Sequence, residues 1–460
     1  MPAGTGEQKE AVPCGGSNRR HGNDRLGRGD KHCDTIKKYK AMYALVDCNN
    51  FYVSCERHFD PSLNGKPVIV LSNNDGCAIS RSDEAKALGI EMGAVPHLTP
   101  AITNNKAVKM FSSNYTLYGD MSDRVMKTLA SFVPRMEVYS IDEAFLDFSG
   151  MPYTDLLKLG MTIRTTILQN TGIPTCVGIA PTKALAKMAN RYAKKKYKAV
   201  GVFWAANQTL INEMLDYTEV ENVWGIGRQY ALMLRRNNIL TALQFVQSPP
   251  DFIRDKMSVV GLRLHNELNG IPSIAWDFEP PAKKNIGTGR SFGALTSDKK
   301  LVQEAMSNFA ANCALKLRKQ KSAAKEIRIF INTNVHRPQD KQYFMSLKIK
   351  MDPATNDSSS IIKYALKGLD IIFKPGYNYM KCGVEFNDLV PESEVQVTLF
   401  AKLVPSNKKI NTTIDKVNNA LGKDIVRFGV QGFERKFKAR AAHLSRRFTT
   451  RIDEVIKIKN

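Results

Sequence analysis

From residue 42 onward the apolar positions of this chain switch between two periods. Residues 43–47 read as a strand, and after a turn Phe51, Cys55 and Phe59 recur every four residues, as on one face of a helix. The run "KPVIVLSNNDGCAISRS" holds two apolar stretches around Asn74, Asp75 and Gly76. It predicts a hairpin in which the Asp-Gly step supplies the positive φ of a tight turn. A short helix, "SDEAKALGI", follows. Further on, "RMEVYSIDEAFLDFSG" predicts two short strands meeting near Asp142, and "VGIAPTKALAKMANRYAKK" predicts a strand running into a Lys-rich helix. Strands and helices are therefore mixed, with the hairpin inserted between two parts of one α/β core.

Beyond residue 205, "ENVWGIGRQYALMLRRNNILTALQF" predicts two helices flanking Gly225 and Gly227. Residues 277–287, "DFEPPAKKNIG", are Pro-rich and basic, as a tether should be. Residues 288–395 alternate strand-like runs ("EIRIFINTNV", "YFMSLKIKM", "MKCGVEFNDLV") with helical patterns, which predicts a compact α+β module. The basic run in the tail, residues 401–460, fits a DNA contact and a solvated helical face equally well. Residues 1–41 lack apolar periodicity and read as a disordered leader, with Met42 as the natural start.

Composition narrows the partners. A chain of 460 residues is too long for one core, so three or four domains are expected. Lys and Arg number 67 against 44 Asp and Glu, a formal charge of +23, which points to a polyanion. Nucleic acid leads and an anionic membrane surface comes second. No apolar run of about 18 residues occurs, so no helix is expected to span a bilayer. The eight cysteines are dispersed, with no C-x-x-C pair and no His at zinc spacing, and suit a reduced cytoplasm.

The chemistry lies in "VYSIDEAFLDFSG", where Asp142 and Glu143 stand side by side in a strand-like run, and in Asp47 at the end of the first strand. Three acids converging at one sheet end would suit hard divalent cations, which take a few carboxylate oxygens together with substrate phosphates. Alone, an Asp-Glu pair is ordinarily a solvated turn, and an Asp after a strand is ordinarily a helix cap.

Taken together, "VDCNNFYVSCE" and "YSIDEAF" resemble the two metal-binding motifs of Y-family translesion DNA polymerases. Within that family "DCNNFYVSCE", "SNNDGCAISRSDEAKALGI" and "VGIAPTKALAKMAN" are most similar to the UmuC type. The resemblance runs from about residue 42 to 400. It implies an α+β multidomain right hand, with a ferredoxin-like palm (42–58 and 116–205), small fingers (59–115), a helix-hairpin-helix thumb (206–276) and an α+β little finger (288–395). The implied activity is template-directed addition of deoxynucleotides to a primer 3′-hydroxyl, as low-fidelity synthesis in the DNA-damage (SOS) response.

By resemblance, Asp47, Asp142, Glu143 and the backbone carbonyl of Cys48 would hold two Mg²⁺ ions. Tyr52 falls at the steric-gate position that excludes a 2′-hydroxyl. Phe51, Tyr52, Ser80, Arg81, Lys86 and Lys194 would bind the nucleotide, and Gly76, Cys77 and Ile79 would cover the templating base. At Asp83 many relatives carry a Tyr; the expectation is that Asp83 faces away or pairs with Arg81. Gly225, Gly227, Arg290 and Ser291 match positions that touch the DNA backbone. Gln396, Leu399 and Phe400 of "QVTLF" resemble a sliding-clamp-binding peptide. The implied partners are primer–template DNA, deoxynucleoside triphosphates, the sliding clamp, a UmuD-type processed dimer and a RecA filament. A nucleotidyl cyclase would share the palm and metals but would not need the later modules. A non-catalytic DNA- and clamp-binding scaffold would lack the carboxylates.

Overall fold

The computed structural model describes residues 41–151, 155–278, 281–395, 407–422, 424–434, 437 and 439–456. The expected leader, apart from Ala41, and the expected clamp peptide at 396–400 lie outside the described residues.

The chain enters through β1 (Tyr43–Cys48) and turns at once into α1 (Phe51–Phe59). It then leaves the main sheet for β2 (Val68–Leu71), β3 (Ala78–Arg81), α2 (Asp83–Ala87) and β4 (Lys109–Ser112). These three strands form a separate sheet in the order β3-β2-β4, with a small core of Ile69, Leu71, Ala78, Ala85 and Ile90. The β2–β3 connection is tight, as expected, but Asn74 and Asp75 take the positive φ values (62° and 51°), while Gly76 sits at −73°. Asn and Asp tolerate the left-handed region through local hydrogen bonding. Here Asn74 and Asp75 are also held by bonds from distant segments, described below.

The chain returns through α3 (Tyr115–Ala130), β5 (Met136–Val138), β6 (Glu143–Asp147), α4 (Leu156–Thr171), β7 (Thr175–Ala180), α5 (Lys183–Lys196) and β8 (Val202–Trp204). The main sheet has the order β5-β6-β1-β7-β8. Alternation along β1 sends Ala44 and Val46 to a core with Leu117, Tyr118, Met121 and Ile163, and Leu45 to a core with Leu185 and Met188. Helices thus cover both faces, and all six residues of β7 are buried. Where α5 crosses β7 the backbones nearly touch. A Cβ on Gly178 would come within 2.0 Å of the Asn190 backbone nitrogen. Asn190 donates its side-chain amide to the carbonyls of Leu45 (3.2 Å) and Cys176 (2.7 Å), tying α5 to two strands.

The second core continues without a break into α6 (Gln208–Tyr217), α7 (Arg228–Arg236), α8 (Ala242–Gln247) and α9 (Pro250–Leu268). The element before Gly225 is a single 3₁₀ turn, Val220–Asn222, where a helix was expected.

The last sheet comprises β9 (Ile286–Thr296), β10 (Ser322–Thr333), β11 (Phe344–Thr355) and β12 (Tyr379–Pro391), all antiparallel in the order β11-β10-β12-β9. Helices α10 (Lys299–Lys319) and α11 (Ser358–Ile372) pack on it.

The tail departs from the helical-face reading made of its basic run. Among the described residues it forms one further α-helix, α12 (Lys408–Leu421), which docks on this module: Arg318 grips Asp415 with two bonds of 2.7 and 2.8 Å, and Phe437 enters the core. Residues 439–456 are not a solvated helical face; apart from one 3₁₀ turn, Ile452–Glu454, they carry no helix and run back to the finger sheet and the palm. An extended strap held by long-range backbone bonds has no periodicity for a sequence reading to detect.

Candidate active site

Asp47 and Glu143 are direct register partners across β1 and β6, and the Cys48 N–H donates to the Asp142 carbonyl at 2.9 Å. The two acidic motifs, 95 residues apart in "VDC" and "IDE", therefore meet at one end of the main sheet. Asp142 accepts from Ser140 Oγ at 2.6 Å. Among the described residues no three His, Cys, Asp or Glu side chains close around a common point, so the acids form an open set rather than a cage.

Two lysines of α5 balance that set. Lys194 Nζ lies 2.5 Å from Asp47 Oδ1, and Lys187 Nζ lies 3.0 Å from Glu143 Oε2. Lys187 also stands over the ring of Tyr139 (4.1 Å) and that of Trp224 (5.2 Å). Even so, burial pushes Asp47 up to about 7; Lys194 opposes this and the neighbouring Glu143 adds to it. Carboxylate oxygens brought together from two strands, with a third acid beside them, are the donor chemistry a hard divalent cation takes. The residues present thus fit Mg²⁺. Lys187 was not among the residues singled out in the sequence. Its signal is its seven-residue spacing from Lys194, which places both on one helix face.

A cleft of about 240 Å³ opens beside the acids, lined by Phe51, Tyr52, Ile79, Ser80, Ile141 and Asp142. It brings together residues expected to face the sugar (Tyr52), cover the template (Ile79), bind phosphate (Ser80) and hold metal (Asp142). Phe51 and Tyr52, both lining the cleft, begin α1, whose first-turn N–H groups have no intrahelical acceptors. Gly76 is exposed at the tip of the β2–β3 loop, and the Cys77 N–H bonds Ser72 Oγ at 3.1 Å.

Asp83 does not pair with Arg81. It accepts from Asn50 (3.1 Å), Lys86 (3.1 Å) and Lys198 (3.1 Å), while Arg81 donates to the Ile90 carbonyl at 2.7 Å. Partial burial alone would raise the Asp83 carboxyl; the bonds from Asn50, Lys198 and Lys86 outweigh it and hold the group well below the usual carboxylate range. Lys86 also donates to Asn50 Oδ1 at 2.6 Å, so Asp83 steadies the lysine and its charge is already shared.

Gly225, Gly227, Arg290 and Ser291 do not line this cleft. Gly225, at φ 89°, and Gly227, the N-cap of α7, are both exposed. Arg290 is exposed on β9, and the Ser291 carbonyl accepts from Asn74 Nδ2 at 3.2 Å, a direct tie between the finger loop and the last sheet.

Comparison with known proteins accords with this geometry. Residues 46–191 match the model of the impB/mucB/samB family, 283–399 match that family's C-terminal domain, and 408–458 match a domain of unknown function. The protein UmuC of Salmonella typhimurium is 39% identical over 91% of this chain and all of its own length. Protein ImpB of the same organism is 38% identical over 89% of this chain and 98% of its own. Among solved structures, a Y-family DNA polymerase chimera of Dbh and Dpo4 shares the fold, with a TM-score of 0.60 at 20% identity, over 78% of this chain and all of its own. By its motifs, its fold and its relatives, the chain belongs to the impB/mucB/samB family, as a UmuC-type member of the Y-family DNA polymerases.

Proposed function

We propose that the cleft beside Asp47, Asp142 and Glu143 is where this translesion polymerase joins a deoxynucleotide to a primer 3′-hydroxyl. The observation that carries the reading is the meeting of Tyr52, Ile79, Ser80 and Asp142 around one hollow next to the Asp47–Glu143 pair. Asp47, Asp142, Glu143 and the Cys48 carbonyl would hold two Mg²⁺ ions. Bound there, the ions would stabilise the charge on the attacking and leaving oxygens of phosphoryl transfer.

The chain's own groups do the positioning. Lys194, Lys86, Ser80 and the first-turn N–H groups of α1, at Phe51 and Tyr52, offer donors to a triphosphate. Arg81 is committed to the Ile90 carbonyl and adds positive field rather than a direct bond. Lys187, wedged between Glu143 and two aromatic rings, keeps that carboxylate aimed at the site. The Tyr52 ring bars the 2′-hydroxyl, and Gly76, Cys77 and Ile79 leave room over the templating base for damaged bases. Gly225, Gly227, Arg290 and Ser291 follow the DNA backbone, and such binding should weaken steeply with salt. The sliding clamp, at 396–400, a UmuD-type processed dimer and a RecA filament are partners carried over from the resemblance to UmuC. A cytoplasmic setting fits the six unpaired cysteines among the described residues.

Primer extension with Mg²⁺ on undamaged and abasic templates tests the reading, with the clamp and UmuD- and RecA-type proteins supplied. Wild type should extend, and Asp142→Asn/Glu143→Gln should not; equal extension by both would overturn the metal site.

A further inference from the structure

Residues 408–458 match only a domain of unknown function, yet their second half reaches the finger loop and α1, which flank the cleft-lining residues. The Arg440 N–H donates to Asn74 Oδ1 and the Ala442 N–H to Asp75 Oδ2, both at 2.8 Å. Ser112 exchanges bonds with His443, its N–H donating to the carbonyl at 2.9 Å and its Oγ accepting from the His443 N–H at 3.0 Å. Asn114 Nδ2 then bonds Ser445 Oγ (3.0 Å) and the Arg446 carbonyl (3.1 Å), and Phe448 stacks on Phe59 at 4.7 Å. One strap therefore grips the finger loop on one side of the cleft and α1 on the other.

On α1 the strap grips the face that carries the sugar-facing ring. Tyr52, Glu56 and Phe59 are spaced four and three residues apart, on one side of the helix. The Tyr52 ring stacks on Tyr118 at 4.4 Å and 14°. Tyr118, fully buried, donates its hydroxyl to Glu56 Oε1 at 2.6 Å, and Ser445 Oγ donates to the same oxygen at 2.9 Å. Burial pushes the Glu56 carboxyl up, and the bonds from Tyr118 and Ser445 oppose it. A buried acid that among the described residues has two donors and no cation at its carboxylate has a position that depends on both donors.

We propose that residues 439–448 are a sugar-selection element of the polymerase: Ser445 sets Glu56, Glu56 sets Tyr118, and the stacked Tyr118 ring holds Tyr52 at the height that excludes a 2′-hydroxyl. Ser445, Glu56 and Tyr118 are positioning residues, and the inference rests on Tyr52 being the steric gate.

The test compares incorporation of a deoxynucleotide and the matching ribonucleotide by the full chain with its accessory proteins, reading the ratio of kcat/KM values. Tyr52→Ala should abolish most discrimination. Tyr118→Phe, which keeps the ring, and Ser445→Ala should each lower the ratio about three- to tenfold, the size of one buried hydrogen bond, with deoxynucleotide kcat/KM changed less than about twofold. The two substitutions combined should cost less than their sum, because they act through one carboxylate. Ser445→Thr, which keeps the hydroxyl, should restore the wild-type ratio. If Tyr52→Ala leaves the ratio unchanged, the steric-gate reading itself fails. If Tyr52→Ala collapses it while Tyr118→Phe and Ser445→Ala do not, the gate stands and the strap's role is overturned. A fall in melting temperature with an unchanged ratio gives the strap a structural role only, and also overturns the proposal.

Discussion

Lys183 and Lys187 stand one turn apart on α5 and each meets a glutamate, but the two pairs are built differently. Lys183 Nζ bonds Glu137 at 2.5 Å and the Ala275 carbonyl at 2.7 Å, and lies over the rings of Trp276 and Phe145. Glu137 also accepts from the Asp277 N–H at 2.7 Å, and the side chains are only 2% and 9% exposed. That pair is closed, and it pins the chain leaving the thumb to the palm. Lys187 and Glu143, at 15% and 17%, keep open positions, as do Lys194 and Asp47 at 33% and 16%. Lysine–carboxylate pairs thus make a buried rivet in one place and a more open, solvent-reached set in the other.

The sharpest way to break this contrast is Lys183→Met. It leaves Glu137 buried without its cation, and should destabilise the protein by about 3–5 kcal/mol; urea unfolding would measure it, and a loss below about 1 kcal/mol would show the pair is not closed. Asp47→Asn should do the reverse. Because burial raises the Asp47 carboxyl from 3.8 to about 7, the folded chain holds the proton more tightly than the unfolded one. Stability is therefore greatest below the unfolded value and falls as pH rises through the window from about 4 to 7. At pH 8 and without added metal, Asp47→Asn should be more stable than wild type by at most about 4 kcal/mol, at about 1.4 kcal/mol per pH unit. The gain should vanish below pH 4, and primer extension should be lost at every pH. The smallest effect on stability belongs to Lys187→Met, about 1 kcal/mol for a partly exposed pair. Its primer extension should nonetheless drop tenfold or more, about 1.4 kcal/mol in the barrier, because Glu143 loses its guide. Equal losses in stability and activity would make Lys187 merely structural.

What could be read in advance divides along physical lines. β1, α1 and the strand pair around Asp142 were legible because alternation and four-residue spacing are local. The Asp47–Glu143 register follows from two motifs that each end or begin a strand. The partners of Asp83 were not legible: Lys86 is a local neighbour, but Lys198 and Asn50 come from other elements. Likewise the β2–β3 loop puts positive φ on Asn74 and Asp75, whose side chains are claimed by Arg440 and Ala442, and no turn rule contains a tie of that range. The strap is the extreme case, since its order comes from what it touches and not from its own pattern.

The bond between Ser445 and Glu56 spans 389 positions. At about 5–20 residues per second, a ribosome that has made Glu56 needs roughly 20–80 s more before Ser445 exists. All three acids and Tyr52 are on the nascent chain long before that moment. A polypeptide cut short by a stop codon or a protease between α12 and the strap would therefore keep its three acids and lose this tie behind Tyr52. The order of synthesis makes this contact a late joint of the hand, closed after the residues around the cleft already exist.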